Sequence, residues 1–297
     1  MNEPSNTAAR VDLHCHSSAS NGATGKPPDI ARTLKKAGFA AFALAEHDNL
    51  DSQDAAARGA IEAGIEFVPG VEVSTRVDEP DLRFQPYVHI LGYYFSRTGE
   101  LESMLERAYN GMVESSRRNF HRLIAEGVID FAEEDLLRYV RAQWGEDDLW
   151  KQPFNCPTPL GQMLQQRGLG RPGEHPPQTM MRVLGLKYPP EEYTTWPNVR
   201  EACDTLHRAG AVVILAHPAK ADRECLLRWL GGYVDGVEVY HSRNSPDYRR
   251  MLLEVVKETG CAFSGGSDLH WYGYDNMHEL YSDAPYECLE SIKAARG

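Results

Sequence analysis

Short apolar runs that stop at a histidine or an acid recur along this chain, and they constrain its fold more than any other feature. The first is Val11-Asp12-Leu13-His14-Cys15-His16. A run of this kind reads as the end of a β-strand, where side chains alternate faces, so His14 and His16 point the same way. Phe39 to Ala45 is continuously apolar, the pattern of a strand buried on both faces, and it runs into Glu46-His47-Asp48. Phe67 to Val73 reads as the next strand and carries Glu72, and Tyr87 to Tyr94 carries His89. Val212 to Leu215 ends in Ala216-His217-Pro218, and Val237 to Tyr240 ends in His241. Ala262 to Ser264 runs into Gly265-Gly266-Ser267-Asp268-Leu269-His270.

Between these runs lie helical patterns. Pro27-Pro28-Asp29 opens an amphipathic helix with Ile30, Leu34 and Ala37 on one face and Gly38 as its stop, and Asp51 to Ala63 closes at Gly64. Strand, helix and strand in alternation predict right-handed βαβ units and a parallel sheet. Leu101 to Glu126 is a long, charge-rich helical stretch, and the residues up to about Asn198 read as helices broken by Pro and Gly. Residues 98–198 are therefore expected to form a helical insertion, a lid, within a discontinuous barrel domain of residues 1–97 and 199–297. Val199 to Ala209 and Pro285 to Ala295 read as helices of that barrel, and there is no internal repeat.

The remaining sequence narrows the chemistry. With 297 residues the chain is long enough for one large α/β barrel carrying an insertion. Its 31 Lys and Arg against 43 Asp and Glu give a net charge of −12, which disfavours a general nucleic-acid surface but not a small anionic substrate held through bound cations. The six cysteines are scattered without a Cys-x-x-Cys pair, as expected in a reducing cytoplasm. Met1 to Arg10 lacks an apolar h-region and no run approaches a membrane span, so neither a secretory signal nor a membrane partner is expected.

His14, His16, His47, Glu72, His217, Asp268 and His270 fall at or near strand C-termini, the face where α/β barrels gather their active sites, and His89 lies within its strand. Imidazole and carboxylate together suit zinc, manganese or iron. There are too many ligands for one ion, so two or three metals sharing Glu72 as a bridge are expected. His89 read alone is equally a satisfied core histidine, and His217 before a proline is equally a turn residue. His121, His175, His207 and His278 follow no such pattern and read as structural.

Asp12-Leu13-His14-Cys15-His16, Glu46-His47-Asp48, Gly70-Val71-Glu72, Val88-His89-Ile90-Leu91-Gly92-Tyr93, Ala216-His217-Pro218 and Gly266-Ser267-Asp268-Leu269-His270 together resemble the successive motifs of the polymerase and histidinol phosphatase (PHP) family. The resemblance implies a distorted (β/α)7, TIM-like barrel and a di- or trinuclear site that cleaves phosphate esters. Carried over position by position, it implies one metal on His14, His16, Glu72 and Asp268. A second would share Glu72 and take His89 and His217, and a third would take His47 and His270. The family's third-metal aspartate is replaced by Asn21, which offers a carbonyl oxygen without charge, so a weaker third site is expected. Trp271 stands where a glycine commonly follows, and the Arg-x-His motif of nucleotide-cleaving relatives is not evident.

The expected reaction is attack on phosphorus by hydroxide that the metals make available near neutral pH, on a phosphomonoester or cyclic phosphodiester of a small metabolite such as a nucleotide or sugar phosphate. His241 and Asp48 are candidate proton donors to the leaving group. Arg171, Arg243 and Lys151 are candidate phosphate contacts, each of which, taken singly, reads more readily as a solvated surface charge. Trp144 and Trp150 are candidates for stacking on a base, with filling the core of the insertion as the plainer role. The insertion would exclude a long nucleic acid. An amidohydrolase-type enzyme also opens with His-x-His, and a barrel that binds metal or ligand as a regulatory module without catalysis is the remaining alternative.

Overall fold

The computed structural model describes residues 9–20, 23, 25–144, 154, 157–185, 195–270 and 282–296. Asn21, Lys151, Trp150 and Trp271, named above, lie outside the described residues, as do Cys156 and His278. In chain order the elements are β1 (Arg10–Cys15), α1 (Pro27–Lys36), β2 (Phe39–His47), α2 (Gln53–Ala63), β3 (Glu66–Phe67), β4 (Gly70–Arg76), β5 (Tyr87–Tyr93) and α3 (Gly99–Ala125). There follow α4 (Glu133–Trp144), α5 (Pro157–Gln166), α6 (Pro176–Leu184), α7 (Val199–Arg208), β6 (Val212–Leu215), α8 (Arg223–Leu230), β7 (Gly236–Tyr240), α9 (Pro246–Thr259), β8 (Ala262–Gly265) and α10 (Glu287–Ala295).

Local chemistry accounts for where the helices begin and end. Proline opens α1, Asp29 sits in its first turn and Lys35 and Lys36 in its last, an order that complements the helix dipole. Gly64 stops α2 at a φ of 66°, a left-handed conformation that glycine adopts without a Cβ penalty. Side chains of Thr98, Asn198, Asp222 and Ser245 accept the first free N–H groups of α3, α7, α8 and α9.

The sheet runs in the order β1-β2-β4-β5-β6-β7-β8, with β3 beside β2, and it curls. Its neighbours pair in parallel except at β5, which is antiparallel to both β4 and β6. The wholly parallel sheet expected from the sequence is thus corrected at one strand. The β4–β5 link holds only a 3-10 turn, Pro80–Leu82, and is too short for the helical crossover that a parallel pair needs. A second correction concerns the run Phe67 to Val73, which divides into β3 and β4 at Pro69, a residue with no N–H to give a ladder. At the far edges, Cys15 and Leu269 form a parallel bridge, and the His16 N–H donates to the Leu269 carbonyl at 3.0 Å.

Apolar residues cover both faces of the sheet. Val11, Leu13, Ala41, Ala43, Leu91, Tyr93 and Ile214 pack with Leu289 and Ile292 of α10 in one cluster. Val71, Val73, Ile90, Val237 and Val239 pack with α3, α7, α8 and α9 in another. Full burial of each such side chain contributes about 1.5–3 kcal/mol. A separate cluster of Val113, Phe120, Leu136, Phe154, Leu160 and Leu184 is drawn from residues 113–184 alone. Among the described residues no helix is long and apolar enough to cross a membrane.

Candidate metal centre

Glu72 is the focus of the site. It sits mid-strand on β4, between Val71 and Val73 that point into the opposite core, so alternation turns its carboxylate to the other face. Its Oε2 lies 3.1 Å from His14 Nε2, 3.3 Å from His16 Nε2 and 3.1 Å from His47 Nδ1. Its Oε1 lies 2.8 Å from His89 Nδ1 and 3.1 Å from His217 Nε2. Glu72 is fully buried, and burial alone would raise its pKa; the charges of His47, His14 and His89 outweigh that and hold it well below the usual carboxylate range.

Asp268 closes the group. Its Oδ1 lies 3.1 Å from His16 Nε2 and 3.7 Å from His14 Nε2, while Oδ2 faces His241 Nε2 at 3.5 Å and the Arg243 guanidinium at 3.2 Å. His270 stacks on His16 with ring centroids 4.1 Å apart, and its Nε2 lies 3.4 Å from His47 Nε2. Burial and the charge of His16 press the His270 pKa down to about 4. The site is therefore a nest of imidazoles around two carboxylates. Three of its residues, Asp48, His217 and Asp268, take positive φ values of 54°, 28° and 55° without being glycine. Such backbone persists only where its surroundings over-determine it, which is common at functional sites.

The donor chemistry fits divalent metal ions. Ligand atoms of His14, His16, Glu72 and Asp268 lie within 4.8 Å of one another, as do those of His47, Glu72 and His89, and those of His16, His47 and His270. Nε2 of His14, Nε2 of His89 and Oε2 of Glu72 are buried without a hydrogen-bond partner among the described residues. Buried polar atoms left in this way cost about 1–3 kcal/mol each, and a shared cation satisfies them. No lysine occurs in β1 to β8, so a carboxylated lysine, the bridge of many amidohydrolases, has no place on these strands.

The other predicted residues are distributed as follows. His241 follows β7; its Nδ1 accepts the Arg243 backbone N–H at 3.0 Å, which leaves the ring proton of the neutral form on Nε2, towards Asp268. Asp48 is buried, its Oδ1 accepts the Ser74 N–H at 2.9 Å, and burial pushes its pKa up to about 7. Arg243 reaches the cluster. Arg171 precedes α6, where its N–H donates to Glu174, and no contact joins it to the cluster among the described residues. Trp144 is the last residue of α4. His121 and His207 pair with Glu133 and Asp235, and His175 precedes α6 as its N-cap.

Asp12, Glu46 and Glu238 are buried carboxylates that were not singled out by sequence. Glu46 accepts the backbone N–H of Ser17 at 3.2 Å and its hydroxyl at 2.5 Å, pinning the loop that follows His16. Glu238 on β7 contacts His14 and His217. A signal for Glu238 was present: Gly236-Val237-Glu238-Val239 repeats Gly70-Val71-Glu72-Val73 residue for residue. A cleft of about 400 Å³ lies between residues 48–51 and the first half of α3; it shares with the predicted site only Asp48, and its lining includes Arg97, Glu102, Glu106 and Tyr109.

Comparison with known proteins agrees with this geometry. The PHP domain family model matches residues 12–148. A 5'-3' exoribonuclease of Haemophilus influenzae is 25% identical over 276 residues, covering 88% of this chain and 90% of the relative. A 3',5'-nucleoside bisphosphate phosphatase of Chromobacterium violaceum is 26% identical over 274 residues, covering 88% and 87%. Among solved structures, a Bifidobacterium adolescentis protein described as a metal-dependent phosphoesterase superposes with a TM-score of 0.76 at 24% identity, over 97% of this chain and 96% of that one. A sulfate-bound, metal-free amidohydrolase of Chromobacterium violaceum gives 0.70, also at 24% identity, over 97% of each chain. The family model is laid over β1 to β5, and the imidazole-carboxylate nest is carried on those strands and their partners, so residues 12–148 of the chain match a PHP domain and the whole chain shares the fold of these solved structures.

Proposed function

We propose that this protein hydrolyses phosphate esters of a small metabolite, a nucleotide or sugar phosphate, as a monoester or a cyclic diester, at a centre of two or three divalent ions. The observation that carries the reading is the split of Glu72, with one oxygen among His14, His16 and His47 and the other between His89 and His217. One ion is assigned to His14, His16, Glu72 and Asp268, a second to Glu72, His89 and His217, and a third to His47 and His270. Manganese, iron or zinc suits this donor set. Bound there, the ions supply Lewis-acid polarisation of the phosphoryl oxygens and bring the pKa of water towards about 7.

The chain's own residues complete the chemistry. The Nε2–H of His241 is placed beside Asp268 to donate to the leaving oxygen, and the carboxyl of Asp48 is the alternative donor. Arg243 offers a largely exposed guanidinium at the rim for a phosphate oxygen. Residues 98–198, with their own apolar cluster, act as a wall that limits substrate length, beside a distorted (β/α)7 barrel of residues 1–97 and 199–297. The parallel bridge between Cys15 at the end of β1 and Leu269, beyond the end of β8, supports that reading of the sheet.

The named relatives favour a second reading within the same chemistry, stepwise removal of nucleotides from the 5' end of RNA. The net charge of −12 argues for short substrates over a long strand. The test is phosphate and nucleotide release, with metal content measured on the same preparation, from a panel of nucleoside monophosphates, nucleoside bisphosphates, sugar phosphates, cyclic nucleotides and short 5'-phosphorylated RNA. Fast turnover of one small class supports the first reading, and turnover confined to RNA replaces it with the second. Full metal loading with no turnover on any phosphate would sink both, in favour of the amidohydrolase or regulatory alternative.

A further inference from the structure

We propose that Glu238 is a positioning residue for the metal centre, fixing the ring of His14 and the backbone of His217 so that one ligand on each side of Glu72 is aimed before any ion arrives. The inference rests on the metal reading above. Val237 and Val239 point into the outer core, so Glu238 is turned inward, and it is fully buried. Its Oε1 lies 2.9 Å from His14 Nδ1, and its Oε2 accepts the backbone N–H of His217 at 2.8 Å.

Both contacts have a direction. A carboxylate accepts only, so His14 must carry a proton on Nδ1. The lone pair of Nε2 is then bare, and Nε2 lies 3.1 Å from Glu72 Oε2 and 3.7 Å from Asp268 Oδ1, where an ion is expected. On the other side, the bond to the His217 amide holds a residue whose φ is 28°. The ring of that residue reaches the opposite oxygen of Glu72 at 3.1 Å. Burying a carboxylate costs several kcal/mol, and a polar filler of equal shape would avoid that cost; what the charge supplies is two acceptor oxygens at once.

Glu238→Gln separates this role from packing. The variant's side-chain amide has one acceptor and one donor. If its oxygen keeps the His217 N–H, its NH2 faces His14 Nδ1 and forces the ring proton to Nε2, the atom that must ligate. Wild type, Glu238→Gln and Glu238→Asp are to be loaded with zinc, with zinc per chain and affinity read by competition against a chelator, and with melting of the metal-free proteins as a folding control. In the zinc-loaded wild type, proton–nitrogen correlation spectra report which nitrogen of His14 carries hydrogen. The expected result is a protonated Nδ1 in wild type, and about 10- to 100-fold weaker zinc binding in Glu238→Gln with unchanged melting of the metal-free protein. Glu238→Asp, which keeps the charge, is expected to fall between them. Equal zinc affinity of wild type and Glu238→Gln overturns the role of Glu238 alone. So does a His14 proton on Nε2 in the wild type, a readout that stands even where a variant does not fold. A wild type that takes up no zinc, manganese or iron overturns the metal reading and this inference with it.

Discussion

The guanidinium of Arg243 lies 3.2 Å from Asp268 Oδ2, on a side chain that is 63% exposed, while Asp268 itself is 8% exposed. One partner thus belongs to the interior of the centre and the other to its mouth. A surface arginine in this position adds little to stability, because water screens it, but it brings a fixed positive charge to the rim where the proposed anionic substrate would arrive. Arg243→Ala is expected to raise KM for the phosphorylated substrate about tenfold or more, the loss of one charge-assisted hydrogen bond, with kcat and melting temperature nearly unchanged. An equal fall in kcat at constant KM would place Arg243 in the transition state and not at the entrance.

Glu72→Ala removes the carboxylate that five imidazoles face. Activity is expected to vanish and bound metal to fall, as read by elemental analysis of the purified variant. Retention of both would show that the bridge lies elsewhere.

The pH dependence of metal uptake follows from His16. Burial opposes its imidazolium, but the hydrogen bond to Asp268 and the negative charges of Asp268 and Glu72 outweigh burial and raise its pKa to about 9 in the metal-free protein. An unfolded histidine titrates near 6.5, so the stability this group contributes is complete below about pH 6.5 and is lost as pH rises through about 9. A metal must displace the same proton. Zinc affinity should therefore rise between pH 7 and pH 8, by about tenfold for each proton released, in competition titrations at the two pH values. A flat affinity would mean that His16 is already neutral.

Gly266 shows how tightly β8 is laid against β1. A methyl group there would fall on the backbone nitrogen and Cβ of His14. Gly266→Ala should therefore cost about 3 kcal/mol, near the upper end for overpacking, and should lower metal content at the same time because His14 is displaced. Thermal melting with and without zinc checks it; a melting temperature equal to wild type would show that the two strands can part locally.

The clustered histidines were legible in the sequence because their signal is local. A hydrophobic strand that ends in His47 or runs into His217 announces a polar terminus within a few residues, and α1, α2 and α3 were legible from their own periodicity and stops. Glu238 was not legible by itself, because an acid between two valines reads as the wet side of a half-exposed strand. Only the curl of the sheet, which sets it against a histidine 224 residues away, shows it to be dry. The reversal of β5 was hidden for a related reason, since apolar runs carry no mark of direction and only the length of the preceding link decides it.

The reversed strand also decides how the long helix is anchored. β5 ends at Tyr93, paired with Gly70 and Val212 at the starting edge of β4 and β6, and Ser96 is tied there to Ala209. The chain comes back at the opposite edge, where Asn198 bridges Arg76 at the end of β4. α3 leaves from one rim and α7 starts from the other, so the helical region is braced like a strut between two fixed points. A flap hung from a single hinge swings at little cost, whereas a strut must bend or detach at one end. If residues 98–198 wall the centre as proposed, the dimensions of its opening are set by these two anchors, and changing them calls for altering the length of the strut, not the sequence of a loop.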